Sequence, residues 1–132
     1  MIVSTLILIR KKYDKTELMF VRPKGKDLYV FPGGKVEAGE TTIQGLQREL
    51  QEELGTIASA IEEMGVIAGI TPDGQPMTMH LHTGSLQSEP SPNSEIELIE
   101  WMSKSVVEEK KRFMTSLTLD HALPFLTNTR MW

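Results

Sequence analysis

The feature that most constrains the fold is an amphipathic helical segment that begins near Thr41 and ends near Gly55. Thr41 and Gln44 form a capping-box pattern, and Gly55 is a typical C-terminal stop. One stripe of this helix is apolar and must face a core: Ile43, Leu46, Leu50 and Leu54. An adjoining stripe with i, i+3, i+4 spacing is acidic: Glu49, Glu52 and Glu53. The sequence therefore predicts carboxylates at the margin of a core.

Runs of β-branched and other apolar residues predict strands on both sides of this helix in the sequence. The expected strands cover residues 3–9, 17–22, 28–31, 64–70, 77–83 and 96–102. Asp73-Gly74 supplies the turn of a hairpin between residues 64–70 and 77–83. Further helices are expected near residues 106–113 and 119–126. Antiparallel strands with a few helices predict an α+β fold, built as an α/β/α sandwich.

Length and composition indicate one ordinary globular domain that spans residues 1–132, with 39% hydrophobic and 24% charged residues. The net charge of −4 and the lack of a long basic block disfavour a nucleic-acid partner. Without cysteine, disulfides and thiolate metal sites are excluded. The apolar run at the start is too short to span a membrane. Its charged residues come after it, whereas those of a signal peptide come before the apolar run. We therefore expect a cytoplasmic protein.

The acidic stripe favours a divalent cation. Three carboxylates this close repel one another unless a cation compensates. Oxygen ligands alone favour Mg²⁺ or Mn²⁺. In the preceding loop, Gly33 and Gly34 permit close approach of a phosphate or metal, and Lys35 adds positive charge. Gly45, inside the acidic stripe, indicates close approach of another group. The alternative is a solvated acidic face with Arg48 as an ion-pair partner.

The segment FPGGKVEAGETTIQGLQRELQEELG resembles the signature of the Nudix family, G-x5-E-x7-R-E-U-x-E-E-x-G-U, where U is aliphatic. Eight signature positions are matched: Gly34, Glu40, Arg48, Glu49, Leu50, Glu52, Glu53 and Gly55. Thr56, at a packing position, is the one departure. The flanks RPKGKDLYVFPGGK and SEIELIEWMS also resemble small bacterial Nudix proteins. The resemblance covers most of the chain and implies the Nudix fold, with a mixed β-sheet.

This resemblance implies a hydrolase of phosphoric anhydride bonds that uses Mg²⁺, with Mn²⁺ as the alternative. It implies four catalytic residues: Arg48, Glu49, Glu52 and Glu53. It also implies a set of metal ligands: the Gly34 carbonyl, Glu49, Glu52, Glu53 and one carboxylate from outside the helix. Glu49 is alternatively the base that orients the attacking water. Arg48 is expected to hold Glu49 or Glu40 in place, which makes Glu40 a structural partner and not a ligand.

The outside carboxylate and the phosphate contacts are less well defined by the sequence. Glu95 is the first candidate for the carboxylate, followed by Glu97 and then Glu89, and the alternative is that all three are solvated. Three residues are expected to contact substrate phosphates: Gly33, Lys35 and Arg22. Arg22 is favoured because it ends a strand that leads towards the glycines. A lysine such as Lys35 is explained equally well as a surface residue that aids solubility.

Other polar and aromatic residues have weaker patterns. His80 and His82 share a strand face but lack a third soft ligand, so we expect them to face solvent or a substrate pocket. Recognition of a base or sugar is expected from side chains such as Tyr29 or Phe31, for which no spacing rule exists.

The sequence thus predicts an enzyme that cleaves a nucleoside triphosphate or another nucleoside diphosphate-linked compound by attack of water at phosphorus. The expected partner is a small nucleotide, without nucleic acid or membrane, and a homodimer is a further possibility from the resemblance. One alternative is hydrolysis of RNA 5′ ends or dinucleoside polyphosphates, which the basic residues Lys24 and Lys26 favour and the net acidity disfavours. Another is a non-catalytic ligand-sensing module, which loss of signature glutamates would mark.

Overall fold

The computed structural model describes residues 1–132 and contains seven strands and three α-helices. The strands are β1 Ile2–Leu6, β2 Ile9–Lys12, β3 Lys15–Pro23, β4 Gly33–Lys35, β5 Ala58–Ile70, β6 Pro76–Leu86 and β7 Ile96–Met102. The helices are α1 Thr42–Leu54, α2 Lys104–Lys110 and α3 Leu123–Asn128. A 3₁₀ turn, Lys111–Phe113, follows α2, and a π-helical turn, Thr118–Ala122, leads directly into α3. None of these helices has the length and apolarity to cross a membrane.

The strands form two sheets. One has the order β4-β1-β6-β5 and the other β2-β3-β7. In the first sheet, β1 runs parallel to β6 and antiparallel to β4, so the sheet is mixed. The pairings of β3 with β2 and β7 are antiparallel. The predicted α+β fold with a mixed sheet is confirmed.

Two hydrophobic clusters lie on opposite faces of the strands, since consecutive residues of β3 alternate between them. Leu18 and Phe20 belong to the cluster that also contains Val107 of α2 and Leu126 of α3. The other cluster packs α1 onto strand residues, and its members include Met19, Val21, Leu46, Leu50 and Leu54. Helices therefore cover both sides of the strands, as in the predicted α/β/α sandwich.

The prediction of one strand over residues 3–9 is wrong, because the chain changes sheet within it. The Ile7 amide donates to the carbonyl of His82 in β6, whereas the Leu8 carbonyl accepts from Met19 in β3. Ile7 and Leu8 are both buried, but in different clusters. Leu6, Ile7 and Leu8 are all apolar because each is buried, Ile7 in one cluster and Leu6 and Leu8 in the other.

Other element boundaries also differ from the sequence prediction. Residues 28–31 form no strand beyond a single bridge between Val21 and Val30. The hairpin is longer than predicted, although its turn is correct, with Gly74 at φ 86° and the Thr71 amide donating to the Gln75 carbonyl at 2.8 Å. Only part of residues 106–113 is α-helical, because the last turn tightens to 3₁₀ geometry.

Helix α1 has the predicted ends. The Gln44 amide donates to the Thr41 hydroxyl at 3.1 Å and the Gln44 side chain accepts from the Thr41 amide, which completes the capping box. Gly55 has φ 68°, the left-handed geometry that glycine allows at a helix end. Ile43 is 44% exposed, so its predicted place in the core stripe is wrong. It lies in the first turn, ahead of the point where Leu46 first meets the core.

Candidate active site

Strand β4 brings the two glycines against α1. The sequence predicts a loop here, which is wrong, because both glycines pair with β1, Gly34 opposite Ser4 and Gly33 opposite Thr5. Gly33 has φ 134°, and a Cβ there would lie 2.1 Å from the Ser4 carbonyl oxygen. Only glycine therefore lets the backbone approach this closely. The loop that follows is folded by Glu40, whose side chain accepts from the Glu37 amide at 2.8 Å.

Glu53 is joined directly to this strand. The Gly33 amide donates to Glu53 Oε1 at 2.9 Å. Burial raises the pKa of Glu53 from 4.5 to about 8, and repulsion from Glu49 and Glu52 adds to the effect, while the Gly33 hydrogen bond opposes it. An ionised Glu53 is thus unfavourable where it stands unless positive charge is supplied.

Glu49 occupies the space that Gly34 leaves. A Cβ at Gly34 would lie 2.6 Å from the Glu49 carboxyl carbon, so any side chain there would displace the carboxylate. Burial raises the pKa of Glu49 above its usual value, and the hydrogen bond from Arg48 works in the opposite direction. The two glycines of β4 therefore each contact one carboxylate of α1.

Arg48 connects the carboxylates to the loop. Its Nε and Nη2 donate to the two oxygens of Glu40 at 2.8 and 3.0 Å, a bidentate pair. Its Nη1 donates to Glu49 at 3.0 Å, and Nη2 also donates to the Lys35 carbonyl at 3.0 Å. The Arg48 hydrogen bonds lower the pKa of Glu40 to about 2, and Glu40 in turn raises the pKa of Arg48. The expected contacts of Arg48 with Glu40 and Glu49 are thus both present.

Gly45 has a different neighbour from the one the sequence suggested. A Cβ there would lie 3.2 Å from Val36 and 3.3 Å from Glu40, both in the loop before α1. The group that approaches the helix closely is therefore the chain's own loop. This packing lets Glu40 reach Arg48.

A cleft of 270 Å³ gathers the acidic residues, and we call it the acidic cleft. Its lining carboxylates are Glu49, Glu52, Glu53 and Glu95. Glu52 is 53% exposed and lies 3.6 Å from Arg48. The structure therefore places four of the predicted ligand side chains around one space.

Glu95 reaches the acidic cleft because its loop is attached to the end of α1. The Ser91 and Asn93 amides donate to the Leu54 and Glu53 carbonyls at 3.1 and 3.0 Å, which satisfies the helix end. The Glu95 carbonyl accepts from the Lys24 amide at 2.7 Å. These backbone contacts, and not a local sequence pattern, bring Glu95 beside the helix.

The two other candidate carboxylates lie elsewhere. Glu97 pairs with Arg22 at 3.2 Å, and Glu89 is exposed; neither lines the acidic cleft. Arg22 itself is mostly buried, and its Nε has no hydrogen-bond partner. Lys35 has an exposed side chain. Neither of these basic side chains lines the acidic cleft.

The donor set of the acidic cleft fits a hard divalent cation. All four side chains offer carboxylate oxygens, the ligands that Mg²⁺ and Mn²⁺ prefer. No three acidic or histidine side chains converge into a finished metal shell. Two contacts account for this: Glu49 is drawn to Arg48, and Glu53 to the Gly33 amide. Burial first, and repulsion between neighbouring carboxylates second, raise the pKa values of Glu49 and Glu53, so neither ionises readily without a compensating cation.

The expectation that both histidines face solvent or a pocket is wrong for His82. His82 is completely buried, with Nδ1 3.3 Å from the Ser4 hydroxyl and 3.2 Å from the Thr5 carbonyl. His80 is partly exposed and its Nδ1 lies 2.5 Å from Glu63. The two side chains therefore have separate neighbours.

A second cavity, of 220 Å³, borders the same glycines, and we call it the apolar pocket. Its lining includes Gly33, Gly34, Met77, Met79, Thr115 and Thr118. Phe31, a candidate for base recognition, also lines it, whereas Tyr29 is buried and bonded to Glu100 instead. Sequence analysis missed the methionines and threonines, since these residues come together only through folding.

Comparison with known proteins identifies the family. The NUDIX domain family model matches residues 3–119. The chain is 68% identical over 54 residues to an 8-oxo-dGTP diphosphatase of Haemophilus influenzae, a match that covers 39% of each protein. It is 38% identical over 52 residues to an RNA pyrophosphohydrolase of Halorhodospira halophila, which covers 39% of this chain and 29% of that protein. The matches thus span well under half of these curated relatives.

The fold is similar to solved structures over nearly the whole chain. A NUDIX hydrolase from Nitrosomonas europaea aligns with a TM-score of 0.77 and 18% identity, over 96% of this chain and 88% of that one. At this identity the likeness concerns the fold. The family match includes β4 and α1 with all their signature residues. The protein therefore belongs to the NUDIX domain family.

Proposed function

We propose that the protein is a Mg²⁺-dependent pyrophosphohydrolase that cleaves a nucleoside triphosphate, or another nucleoside diphosphate-linked compound, by attack of water at phosphorus. The observation that carries this proposal is the acidic cleft, where Glu49, Glu52, Glu53 and Glu95 lie beside the two glycines of β4. For a triphosphate, the products are the nucleoside monophosphate and pyrophosphate.

The four carboxylates of the acidic cleft are assigned to metal binding. Glu52 and Glu53 are the main ligands, with Glu95 and the Gly34 carbonyl completing the set. Glu49 serves as a ligand or as the base that orients the attacking water. When bound, Mg²⁺ supplies neutralisation of phosphate charge and a lower pKa for a bound water. Without such a cation, glutamates would repel the anionic substrate.

Arg48 acts in this proposal as a positioning residue. It anchors Glu49 on one side and is held by both oxygens of Glu40 on the other. Glu40 therefore acts on the site through Arg48 and does not bind the metal. The planar guanidinium serves this role because it presents several donors in fixed directions.

Arg22, Lys35 and the Gly33 backbone are assigned to the phosphates of the substrate. Arg22 retains a buried Nε without a partner, although its Nη2 pairs with Glu97. Lys35 follows the glycines in β4, and its side chain is exposed. Both side chains lie outside the acidic cleft, so their positive charge would act on the part of a polyanion that extends beyond the carboxylates.

Two relatives favour different substrates. The stretch similar to an 8-oxo-dGTP diphosphatase has the higher identity, and it supports a free nucleoside triphosphate. The stretch similar to an RNA pyrophosphohydrolase supports the RNA 5′ end as a second candidate, with dinucleoside polyphosphates as a related class. The net charge of −4 favours the small substrate. We place the activity in the cytoplasm, and size-exclusion chromatography would test the expected homodimer.

The proposal is tested with a panel of nucleoside triphosphates, sugar nucleotides, a dinucleoside polyphosphate and a 5′-triphosphate RNA, each with Mg²⁺ and with a chelator. Glu52→Gln should keep the fold and lower turnover by about 100-fold. Glu109→Gln, at an exposed acid of α2, is the matched control and should keep full turnover. Equal turnover in Glu52→Gln and the natural chain would refute the role of Glu52. No turnover on any compound would favour the ligand-sensing module.

A further inference from the structure

We propose that a second copy of this chain pairs with the free edge of β5, so that two four-stranded sheets join into one continuous sheet across a two-fold axis at Ala68. The proposed function includes a homodimer but assigns no surface to it, and the pairing does not depend on hydrolysis. β5 and β4 are the two edges of the sheet β4-β1-β6-β5. Because the acidic cleft lies beside β4, both active sites stay open in this dimer.

The outer edge of β5 presents unpaired backbone groups, since β6 is its only strand neighbour. Ala68 lies opposite Thr78 of β6, but the Thr78 amide donates to the Met1 carbonyl at 3.0 Å, on the far side of β6 from β5. The backbone groups of Ala68 therefore point away from β6, toward the free edge. Hydrogen-bonded and non-hydrogen-bonded pairs alternate along an antiparallel ladder, so Val66 and Ile70 have the same orientation as Ala68.

The side chains of these three residues are apolar and exposed. Val66 is 48% exposed and Ile70 66%, and Ala68 between them is exposed as well. Ile67 points to the other face and packs against the cluster that contains Leu126. A strand with one solvated face normally alternates apolar inward with polar outward residues. This part of β5 is apolar on both faces, as in a strand whose outer face and edge are covered.

The two halves of β5 differ in how their edge is protected. Natural edge strands are kept from pairing by charges, prolines and bulges. The first half has Glu62 and Glu63, and its register with β6 shifts between Ser59 and Glu62 and again between Glu63 and Gly65. Residues 65–70 have a regular register and contain no charge and no proline. The second half is therefore the part of the edge that is open to another strand.

This open stretch is complementary to itself. Val66, Ala68 and Ile70 are evenly spaced, so a two-fold axis at Ala68 pairs all three in antiparallel register, Ala68 with the partner's Ala68 and Val66 with the partner's Ile70. Each copy has a net charge of −4, and an uncharged stretch is where two such copies can meet with least repulsion. The opposite edge, β4, has only three residues, so the assembly closes as a dimer and does not extend into a fibre.

The contact is small, which sets the expected affinity. A strand of seven residues spans about 23 Å, and a standard interface buries about 800 Å² of each partner. The hydrogen bonds between the two β5 strands supply most of the affinity, as in other complexes formed by addition of a strand to a sheet. We therefore expect a weak dimer that dissociates at micromolar concentrations.

The first test is sedimentation velocity of the natural chain between about 1 μM and about 500 μM, where a shift from monomer to dimer is expected. Ala68→Lys places two lysines opposite each other on the axis and should weaken the dimer at least about tenfold. Ala38→Lys, at an exposed alanine before α1, is the matched control and should leave the dimer unchanged. A natural chain that stays monomeric at every concentration would overturn the pairing, as would a dimer that Ala68→Lys does not weaken.

The second test uses the lack of cysteine in the natural chain. Ala68→Cys places two thiols on the axis, where opposed residues have Cα atoms about 5.5 Å apart, within the range of a disulfide. Oxidised glutathione takes up the two electrons and two protons that the thiols lose. At concentrations that favour the dimer, the two copies should crosslink at least about tenfold faster than those of Ala38→Cys. Equal rates would show that the edges do not meet at Ala68.

The two proposals can fail separately. A chain that dimerises through Ala68 but hydrolyses no nucleotide would contradict the proposed function and support the pairing. A chain that hydrolyses nucleotides and stays monomeric would support the proposed activity and overturn the pairing.

Discussion

The acidic cleft and the apolar pocket border the same two glycines but are built in opposite ways. The cleft is made of charges, three from α1 and one from the loop before β7, and its contacts are specific ion pairs and hydrogen bonds. The pocket is made of apolar side chains from distant segments, and its few hydroxyls bond to the protein itself. The cleft should therefore respond to single atoms and to pH, whereas the pocket should respond mainly to shape.

Gly34→Ala should have the largest effect on turnover. The added Cβ displaces the Glu49 carboxylate, and a misplacement of about 1 Å can cost about 100-fold in rate. Stability should change little, since the end of a flexible side chain gives way. Steady-state kinetics and thermal unfolding check both parts. Normal turnover in a folded variant would show that the position of Glu49 is unimportant for the reaction.

Arg48→Lys should have the next largest effect. Lysine keeps the positive charge but cannot hold both oxygens of Glu40 and also reach Glu49, so kcat should decrease by about tenfold. The Mg²⁺ concentration for half-maximal activity should rise as well. A decrease in stability without any change in Mg²⁺ dependence would indicate a purely structural role.

Glu53→Gln should change how stability depends on pH. The pKa of Glu53 is raised to about 8 in the folded state, above its ordinary 4.5, so the folded protein retains that proton more strongly. Without divalent cations, this contribution is complete below about pH 4.5 and is lost as pH rises through about 8. Tm of the natural chain in a chelator should therefore decrease over this range more than Tm of the variant.

Mg²⁺ provides the control for this pH dependence. If the carboxylates of the cleft bind it, added Mg²⁺ should raise Tm of the natural chain most at pH 8, where Glu53 must otherwise ionise without compensation. The same pH slope in the natural chain and in Glu53→Gln would contradict the assignment of the slope to Glu53.

Thr115→Val should have the smallest effect, because it lies in the apolar pocket. It removes the hydroxyl that accepts from the Thr118 amide at the start of the π-helical turn, which should lower the free energy of unfolding by about 1 kcal/mol. Turnover should decrease far less than in Gly34→Ala, because Thr115 does not line the acidic cleft. A loss of turnover as large as that of Gly34→Ala, in a folded variant, would show that the two regions are not independent.

The same contrast explains how much the sequence could predict. The acidic stripe and the capping of α1 follow from spacing within fifteen consecutive residues, which helical geometry converts directly into positions. Glu95 is ranked ahead of Glu97 and Glu89, but the sequence cannot show that it reaches the cleft, because its position depends on amides of a loop that caps the far end of α1. Arg22 was expected near the phosphates, but its ion pair with Glu97 comes from neighbouring strands.

The apolar pocket was outside the reach of such rules. Its lining extends from Val3 to Thr118, and none of these residues has a pattern that distinguishes a pocket from a core. Ile43 shows the complementary error: helical periodicity assigned it to the core, but it lies in the first turn of α1 and is 44% exposed. Periodicity identifies which face of an element is apolar, and it does not show where the neighbouring element ends.

The change of sheet at Ile7 and Leu8 has a consequence for how the molecule unfolds. Two adjacent residues are hydrogen-bonded to different sheets and buried in different clusters, so the two sheets cannot separate without disturbing the burial of both side chains. A domain whose two sheets are joined in this way should unfold in a single cooperative step, with equal calorimetric and van't Hoff enthalpies of unfolding. Weakening either layer should lower the melting point of both.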